Sequence, residues 1–533
     1  MKSWGIIIVC AVGFLAGMIL AGVGGLMAKT VPRVMPVTEN NLEYYWNDSG
    51  LTSKELFELV SNSNCQTSEK YFLACVNSVI QAAPKYHLEL SSITGQLMTL
   101  SSVYGHDGKT EKENLAPFVK MYAKQNNHLI NFEAAWAKIL KAAQMVDYKS
   151  VAVGNGINGF LSVYKDPHTY IMPTKYYEEV SSKVDRSNLF VGISFEKKSE
   201  AIFVRKVYKG SDAEASGLKA QDQLIQLNGV SAAELLLADI STVLRDGKSK
   251  QFDLMIKRDG QVRTVTIKRN FKTLKHVVAE KRSSLRDYSV ITLSKFNTGV
   301  CDEVASKIKE LSVDAVSGVV LDLRDNPGGQ LDEAACLAGL FIGINKKIYS
   351  VKYFDPLKTD EVVLTSGSLL YTGPLVVLVN SSSASASELL AGALQDYNRA
   401  VLVGERTFGK GTFQEPEPWI KNSKISLFKT QGFYLLPGGE SPQLRGIAPD
   451  FVQFEDHLQL REEMSYFNPI TSAIYLESLP TQKAKNFSTE FEKCLPNMAF
   501  DKDDLVLNKG LEVLACHRIS SLMATQFTNE DFN

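Results

Sequence analysis

The chain has no surplus of charge of either sign: 58 Lys and Arg residues stand against 59 Asp and Glu, a formal net charge of -1 at pH 7. That balance excludes the basic footprint with which proteins neutralise the phosphates of nucleic acid. There is no block of like charge, no internal repeat and no low-complexity tract, so a solenoid or a largely disordered chain is excluded as well. Cysteine is scarce, at positions 10, 65, 75, 301, 336, 494 and 516, and no pair has zinc-finger spacing, so no metal site is expected. Long apolar runs are also rare. The one that stands out, Trp4 to Met27, carries no charge and reaches the ~20 residues needed to cross a bilayer. We read it, within residues 1–30, as an uncleaved membrane anchor. The alternative is an export signal peptide cut near Ala21, Gly24 and Gly25.

What is present is ordinary globular material, 44% hydrophobic and 22% charged over 533 residues. That is more than one hydrophobic core can use, so several domains are expected. Residues 40–180 read as predominantly helical, in Thr52 to Val60, Lys70 to Ala83, Leu115 to Ala123 and Phe132 to Met145. They end in two turn-like passages, Gly154 to Gly159 and Asp166-Pro-His-Thr169. Residues 188–269 switch to short strands, with helical pieces at Ala213 to Ser216 and Ala232 to Leu244. Residues 270–455 alternate strand and helix in the manner of an α/β layer, and 456–533 return to helical signals. We expect disulfides at Cys65/Cys75 and Cys494/Cys516, and buried thiols at Cys301 and Cys336.

Chemistry concentrates in two short passages. In Val379-Asn-Ser-Ser-Ser-Ala-Ser-Ala-Ser-Glu388 an apolar strand runs into small hydroxyl residues and then a helix. A nucleophile there is fixed by the sheet and faces helix amides that favour negative charge. Serine needs a base, yet none of the seven histidines, at 87, 106, 128, 168, 276, 457 and 517, accompanies this turn. The next segment offers Lys410 between two glycines, in Gly404-Glu-Arg-Thr-Phe-Gly-Lys-Gly-Thr-Phe-Gln414. A lysine serves as a base only where withdrawal from water favours its neutral form. Asp396 lies eleven residues past Ser385, about 16 Å along a continuous helix, which excludes it from proton relay and leaves it a structural task.

These residues together resemble the carboxyl-terminal processing peptidases, or tail-specific proteases. The match rests on Ser-Ala-Ser-Ala-Ser-Glu388, Phe-Gly-Lys-Gly411, Leu321-Asp-Leu-Arg-Asp-Asn-Pro-Gly-Gly329 and Ser441-Pro-Gln-Leu-Arg-Gly-Ile-Ala-Pro-Asp450, over roughly residues 155–455. The run Gly210 to Gly229 resembles the middle of a PDZ domain, whose open edge captures peptide ends by strand addition. By that resemblance the binding loop is Leu189, Phe190, Val191, Gly192 and Ile193.

The resemblance implies a multidomain fold mixing α+β and α/β parts: an N-terminal helical region, a PDZ domain, a peptidase core with a crotonase-like layered sheet, and a helical C-terminal tail. It implies a serine endopeptidase that cleaves exported proteins near their C-termini without metal or cofactor. Ser385 would be the nucleophile, Lys410 the base and Gln414 an accessory that orients the lysine. The oxyanion hole would draw on Ala386 and on Gly328, preferred, or Gly329. Asp166-Pro-His-Thr169 would be the entry to the PDZ domain, with His168 a packed turn residue. Expected partners are unfolded protein tails, with room for an activating adaptor, a homo-oligomer and membrane anchoring through residues 4–27. The expected location is periplasmic or otherwise extracytoplasmic. Two rival readings are a PDZ adaptor with a degenerate core and a crotonase-like acyl-thioester enzyme.

Overall fold

The structure is a computed structural model. It describes residues 40–454, 468–470 and 504–516, apart from 64–68, 83–85, 91–96, 103–111, 115–131, 134–135, 138–139, 141–148, 183–190, 199–200, 209, 236–239, 241–242, 245–249, 270–275, 284–286 and 311–316. The apolar run 4–27, the expected helix Leu115 to Ala123 and Cys65 and Cys494 therefore lie outside the described residues, as do Leu189 and Phe190. Among the described residues no helix is long and apolar enough to cross a membrane.

The N-terminal region contains helices α1 (Asn40–Ser49), α2 (Ser53–Ser63) and α3 (Glu69–Ala82). A small antiparallel sheet follows, β1 (Tyr86–Leu90), β2 (Leu97–Ser102) and β3 (Lys112–Asn114), and then α4 (Lys149–Tyr164), β4 (Tyr170–Pro173) and α5 (Thr174–Ser182). The three strands correct the expectation of a helical stretch. A second correction is α4, a helix that runs straight through the glycines read as a turn. Those glycines serve close packing: a Cβ on Gly154 would sit 2.7 Å from the Trp46 ring, and one on Gly159 would sit 2.6 Å from the Asn77 carbonyl. A glycine-rich stretch breaks a helix in isolation, but against large neighbours it is what lets the helix approach.

The next segment holds β5 (Ile193–Lys198), β6 (Ala201–Val207), a short α6 (Asp212–Ala215), β7 (Gln223–Leu227), β8 (Val230–Ser231), β9 (Gln251–Arg258) and β10 (Gln261–Lys268). They form an antiparallel sheet in the order β10-β9-β7-β6-β5, with β8 paired to β7, around its own apolar core. Of the helix expected over Ala232 to Leu244, the described residues show a 3-10 turn at Ala232–Glu234 and α-helical backbone at Ile240, Val243 and Leu244.

The last segment comprises β11 (Val277–Ser283), β12 (Asp287–Leu293), α7 (Val300–Glu310), β13 (Val319–Asp322), α8 (Leu331–Ile342), β14 (Lys347–Tyr353), β15 (Glu361–Leu364), β16 (Leu375–Val379), α9 (Ala386–Asp396), β17 (Val401–Gly404), β18 (Thr412–Pro418), β19 (Ile425–Leu435), β20 (Phe451–Val452) and α10 (Leu505–Ala515). One sheet runs β11-β12-β13-β16-β17-β20, parallel except where β11 meets β12. Its central strands are apolar throughout because both faces are covered. Strand alternation divides them: Val319, Leu321, Leu375, Val377 and Val379 join the core with α7, α8 and α9. Val320, Val376, Leu378, Val401 and Val403 instead meet Leu507, Leu511 and Leu514 of α10. A second sheet runs β15-β14-β19-β18, and β4 from the N-terminal region pairs antiparallel with β19.

Two cysteine expectations are overturned. Cys301 of α7 and Cys336 of α8 are bonded to each other, because the two helices pack side by side across a separation that sequence spacing does not show. Cys516, placed in a pair with Cys494, is a buried thiol packed under the sheet. Cys75 is disulfide-bonded to a partner outside the described residues.

Candidate active site

Three loops leave the carboxyl ends of neighbouring parallel strands: Leu323 to Gln330 after β13, Asn380 to Ser385 after β16, and Glu405 to Gly411 after β17. Crevices at such strand ends are where open α/β sheets assemble sites. Backbone and side-chain bonds knit the loops together. The Asn326 carbonyl accepts from Ala384 N at 3.0 Å and from Ser387 Oγ at 2.9 Å, while Ser383 Oγ donates to Leu323 O at 2.8 Å and Phe408 N donates to Ser383 O at 3.0 Å.

Ser385 stands just before α9 with φ 55°, ψ -114°. A non-glycine residue in that left-handed region stores of order 1–3 kcal/mol of strain, which the surroundings must hold. Its side chain is fully buried, and among the described residues its Oγ has no hydrogen-bond partner. Glu388, one turn into α9, holds the backbone in place. Its Oε2 accepts from Ser385 N and Lys410 N, both at 2.9 Å, and its Oε1 accepts from Gly409 N at 2.7 Å and Thr407 Oγ1 at 2.6 Å. One buried carboxylate thus ties the serine segment to the lysine segment. Burial pushes its carboxyl up to about 7, against the downward pull of those four donors. Tyr434 adds a second tie, since its hydroxyl lies 2.6 Å from the Lys410 carbonyl and 3.1 Å from that of Ser385.

Lys410 is buried, and its Nζ donates to Thr412 O at 2.9 Å and to Gln414 Oε1 at 3.1 Å. Gln414 lies in β18 opposite Thr430 of β19. Its Nε2 donates to Thr430 Oγ1 at 3.1 Å and, more loosely, to Thr412 Oγ1 at 3.4 Å. The structure therefore brings Lys410 and Gln414 into contact. Asp396 stays remote from them and accepts from Gly438 N at 2.9 Å.

The glycine turn lies directly against the serine. A Cβ on Gly328 would stand 2.7 Å from Ala384 O and 2.9 Å from both Ala386 N and Ser385 Cβ, and φ is +98° there. The Gly328 N–H, preferred from sequence as an oxyanion donor, is engaged by Asn326 Oδ1 at 2.9 Å. Ala386 N, at the first position of α9, is one of the orphan amides that a helix start presents.

Sequence reasoning missed the charges around this turn. Arg324 holds Asp322 with Nη2 at 2.7 Å and grips Asp504, the cap of α10, through Nη1 and Nη2 at 2.8 Å each. Asp325 is bound by Arg205 and, at 2.9 Å, by Lys206, both of β6. Burial pushes the Asp325 carboxyl up, but the two cations more than reverse this and hold it well below the usual carboxylate range. Arg205 also donates to Ser382 Oγ at 2.7 Å. The β6 sheet is thereby latched to both loops that flank Ser385. Only the Leu-Asp-Leu-Arg-Asp run itself was visible as a motif.

In that sheet β5 is the last strand of the order, so one of its edges is open among the described residues. Val191, Gly192 and Ile193 are buried at its start. Gly192 is required there twice over, by φ +82° and because a Cβ would lie 2.0 Å from Ser211 Cβ.

Comparison with known proteins falls on these same segments. The pattern of peptidase family S41 matches residues 287–453, and that of the PDZ domain matches residues 180–257. A probable CtpA-like serine protease of Staphylococcus aureus strain COL is 29% identical over 402 residues, 73% of this chain and 76% of that protein. Its counterpart in the bovine strain RF122 is 30% identical over 345 residues, 64% of this chain and 65% of the relative, so the chain spans just under two thirds of that protein's length. The solved photosystem II D1 C-terminal processing protease is 24% identical, with 65% of this chain and 93% of that one covered at a TM-score of 0.42. The chain thus carries a PDZ segment followed by a peptidase family S41 segment, and along them it is similar to CtpA-like serine proteases.

Proposed function

We propose that the protein is a serine endopeptidase in which Ser385 attacks the peptide bond and Lys410 is its general base. The observation that carries this reading is that Ser385 Oγ, fully buried, has no hydrogen-bond partner among the described residues, while the buried Lys410 Nζ is held by acceptors. A neutral amine has two N–H groups and one lone pair, and the acceptors Thr412 O and Gln414 Oε1 can take both N–H groups, leaving the lone pair for the serine proton. Attack forms a tetrahedral oxyanion, for which the donors are Ala386 N–H and, since Gly328 N–H is engaged by Asn326 Oδ1, Gly329 N–H. Collapse expels the amine, protonated by Lys410, and water releases the acyl group by the same route in reverse.

The open edge of β5 fits a peptide tail added as a further strand, with residues 189–193 at the carboxylate end. Tails bound there would feed the crevice, since the same sheet is latched to its loops through Arg205 and Lys206. An extracytoplasmic location, with the segment 4–27 as anchor, is supported by the Cys301–Cys336 disulfide. The layered crotonase-like arrangement of the core belongs to the same reading.

The test is cleavage of an unstructured protein by the full chain, with products mapped by mass spectrometry. Ser385→Ala and Lys410→Ala are each expected to lower turnover by at least about a thousandfold while circular dichroism stays native. Activity retained by either variant overturns the assignment.

A further inference from the structure

The base has a second support that reaches it from the N-terminal region. Asp166 lies in the turn between α4 and β4, and the pairing of β4 with β19 brings it beside Thr430. Its carboxylate accepts from three donors: His168 N at 2.9 Å, Thr169 Oγ1 at 2.5 Å and, 264 residues away in sequence, Thr430 Oγ1 at 2.8 Å. Asp166, Thr169, Thr430, Gln414 and Lys410 are all buried.

Donor counting gives this chain a direction. A hydroxyl has one proton, and a carboxylate can only accept, so Thr430 spends its proton on Asp166. Its oxygen is then an acceptor toward Gln414, which must present Nε2 to Thr430 and therefore Oε1 to Lys410. With the amide turned over, its NH2 would face the lysine and compete for the lone pair that the reaction needs. We propose that Asp166 is a positioning residue of the peptidase site, which acts through Thr430 to fix the amide of Gln414 with its oxygen toward Lys410. This rests on the Ser385/Lys410 reading above.

The proposal separates acceptor from charge. Because His168 N requires an oxygen at the position of Oδ1, an asparagine at 166 would place its carbonyl there and turn its NH2 toward Thr169 Oγ1, preserving the direction. In the full-length protein, Asp166→Asn and Thr430→Ser are therefore expected to keep kcat within about threefold of native. Asp166→Ala and Thr430→Val are expected to lower kcat at least about tenfold with KM within about twofold, and to change the pH profile of Ser385 labelling by a fluorophosphonate probe. Gln414→Glu supplies a further reading. In the native chain its second oxygen would face the proton-less side of Thr430, whereas in Asp166→Ala the Thr430 hydroxyl is free to turn and donate to it. The Gln414→Glu penalty should thus be smaller in the Asp166→Ala background, a non-additivity that lost packing alone would not produce.

Thermal unfolding gives the folded fraction to which each rate is referred. Native kcat per folded molecule in both Asp166→Ala and Thr430→Val, or strict additivity with Gln414→Glu, overturns the proposal while the reading of Ser385 stands. A native chain that neither cleaves nor is labelled at Ser385 overturns both.

Discussion

The two halves of the candidate site are held in different ways. On the nucleophile side, Ser385 and its neighbours are fixed through the backbone. Glu388 takes the amides of Ser385, Gly409 and Lys410, and Asn326 takes that of Ala384. On the base side, Lys410 and Gln414 are fixed through side chains, and the last holder is Asp166 from another part of the chain. A backbone held in a strained φ needs many short ties close by, whereas a proton acceptor needs its partners' polarity set. Damage to the first half should therefore appear as lost stability, and damage to the second as lost rate.

The hardest break of this contrast is Glu388→Ala. It strands four buried donors, each costing about 1–3 kcal/mol when left unmet, so we expect loss of cooperative folding, or a fall in Tm of more than about 10 °C in thermal unfolding. Thr430→Val, which strands one side-chain amide hydrogen and leaves Asp166 with two of its three donors, should cost less stability for a comparable loss of rate. Equal stability losses would erase the distinction.

Next in size is the Cys301–Cys336 bond, which closes a loop of separation 35 between the helices behind the glycine turn. Opening it by Cys301→Ala/Cys336→Ala should cost about 3–4 kcal/mol on the loop-entropy model, read by denaturant unfolding. Turnover at 25 °C should change little, because Ser385 is held by nearer ties.

The pH dependence sharpens the same comparison. The Glu388 carboxyl is raised from 4.5 to about 7 in the folded protein. The folded state thus holds more protons than the unfolded one across that window, and this contribution to stability is complete below about 4.5 and lost as pH rises through about 7. Activity should move the opposite way over the same interval, because the carboxylate is the form that accepts from all four donors. Burial also raises the Glu440 carboxyl to about 7, so in Glu388→Gln the slope of stability against pH should diminish rather than vanish, and it should vanish only in Glu388→Gln/Glu440→Gln. An undiminished slope in Glu388→Gln would assign it to Glu440 alone.

The smallest effect concerns strain. Glycine tolerates φ 55° where alanine does not, so Ser385→Gly should be more stable than Ser385→Ala by about 1 kcal/mol, with both inactive. Equal stabilities would mean that the turn relaxes once the hydroxyl is gone.

Much of the nucleophile side was legible because its parts are neighbours in sequence: an apolar strand, small hydroxyl residues, a helix start and a Glu one turn on. Lys410 and Gln414 are four residues apart, but Lys410 stands in the loop before β18 and Gln414 within it, so their contact depends on how that loop enters the strand. Glu388 was read only as part of a motif, since its partners Thr407 and Gly409 come from another loop. The glycines of 154–159 misled for a related reason: their effect depends on whether Trp46 and Asn77 lie against the helix, which local sequence does not say. The disulfide was misassigned because cysteine separation does not reveal that α7 and α8 lie side by side.

What the sequence alone determined, then, was the alternation of strand and helix, the covered parallel strands and the residue types with reactive side chains, because propensity, periodicity and chemical identity are local properties. Only the tertiary structure decided which buried polar groups satisfy one another: Asp166 with Thr430, Arg324 with Asp504, Arg205 and Lys206 with Asp325. A buried polar atom must find a partner wherever the packed chain brings one, and the register of β4 on β19 that brings Asp166 to the base is a property of the folded sheet.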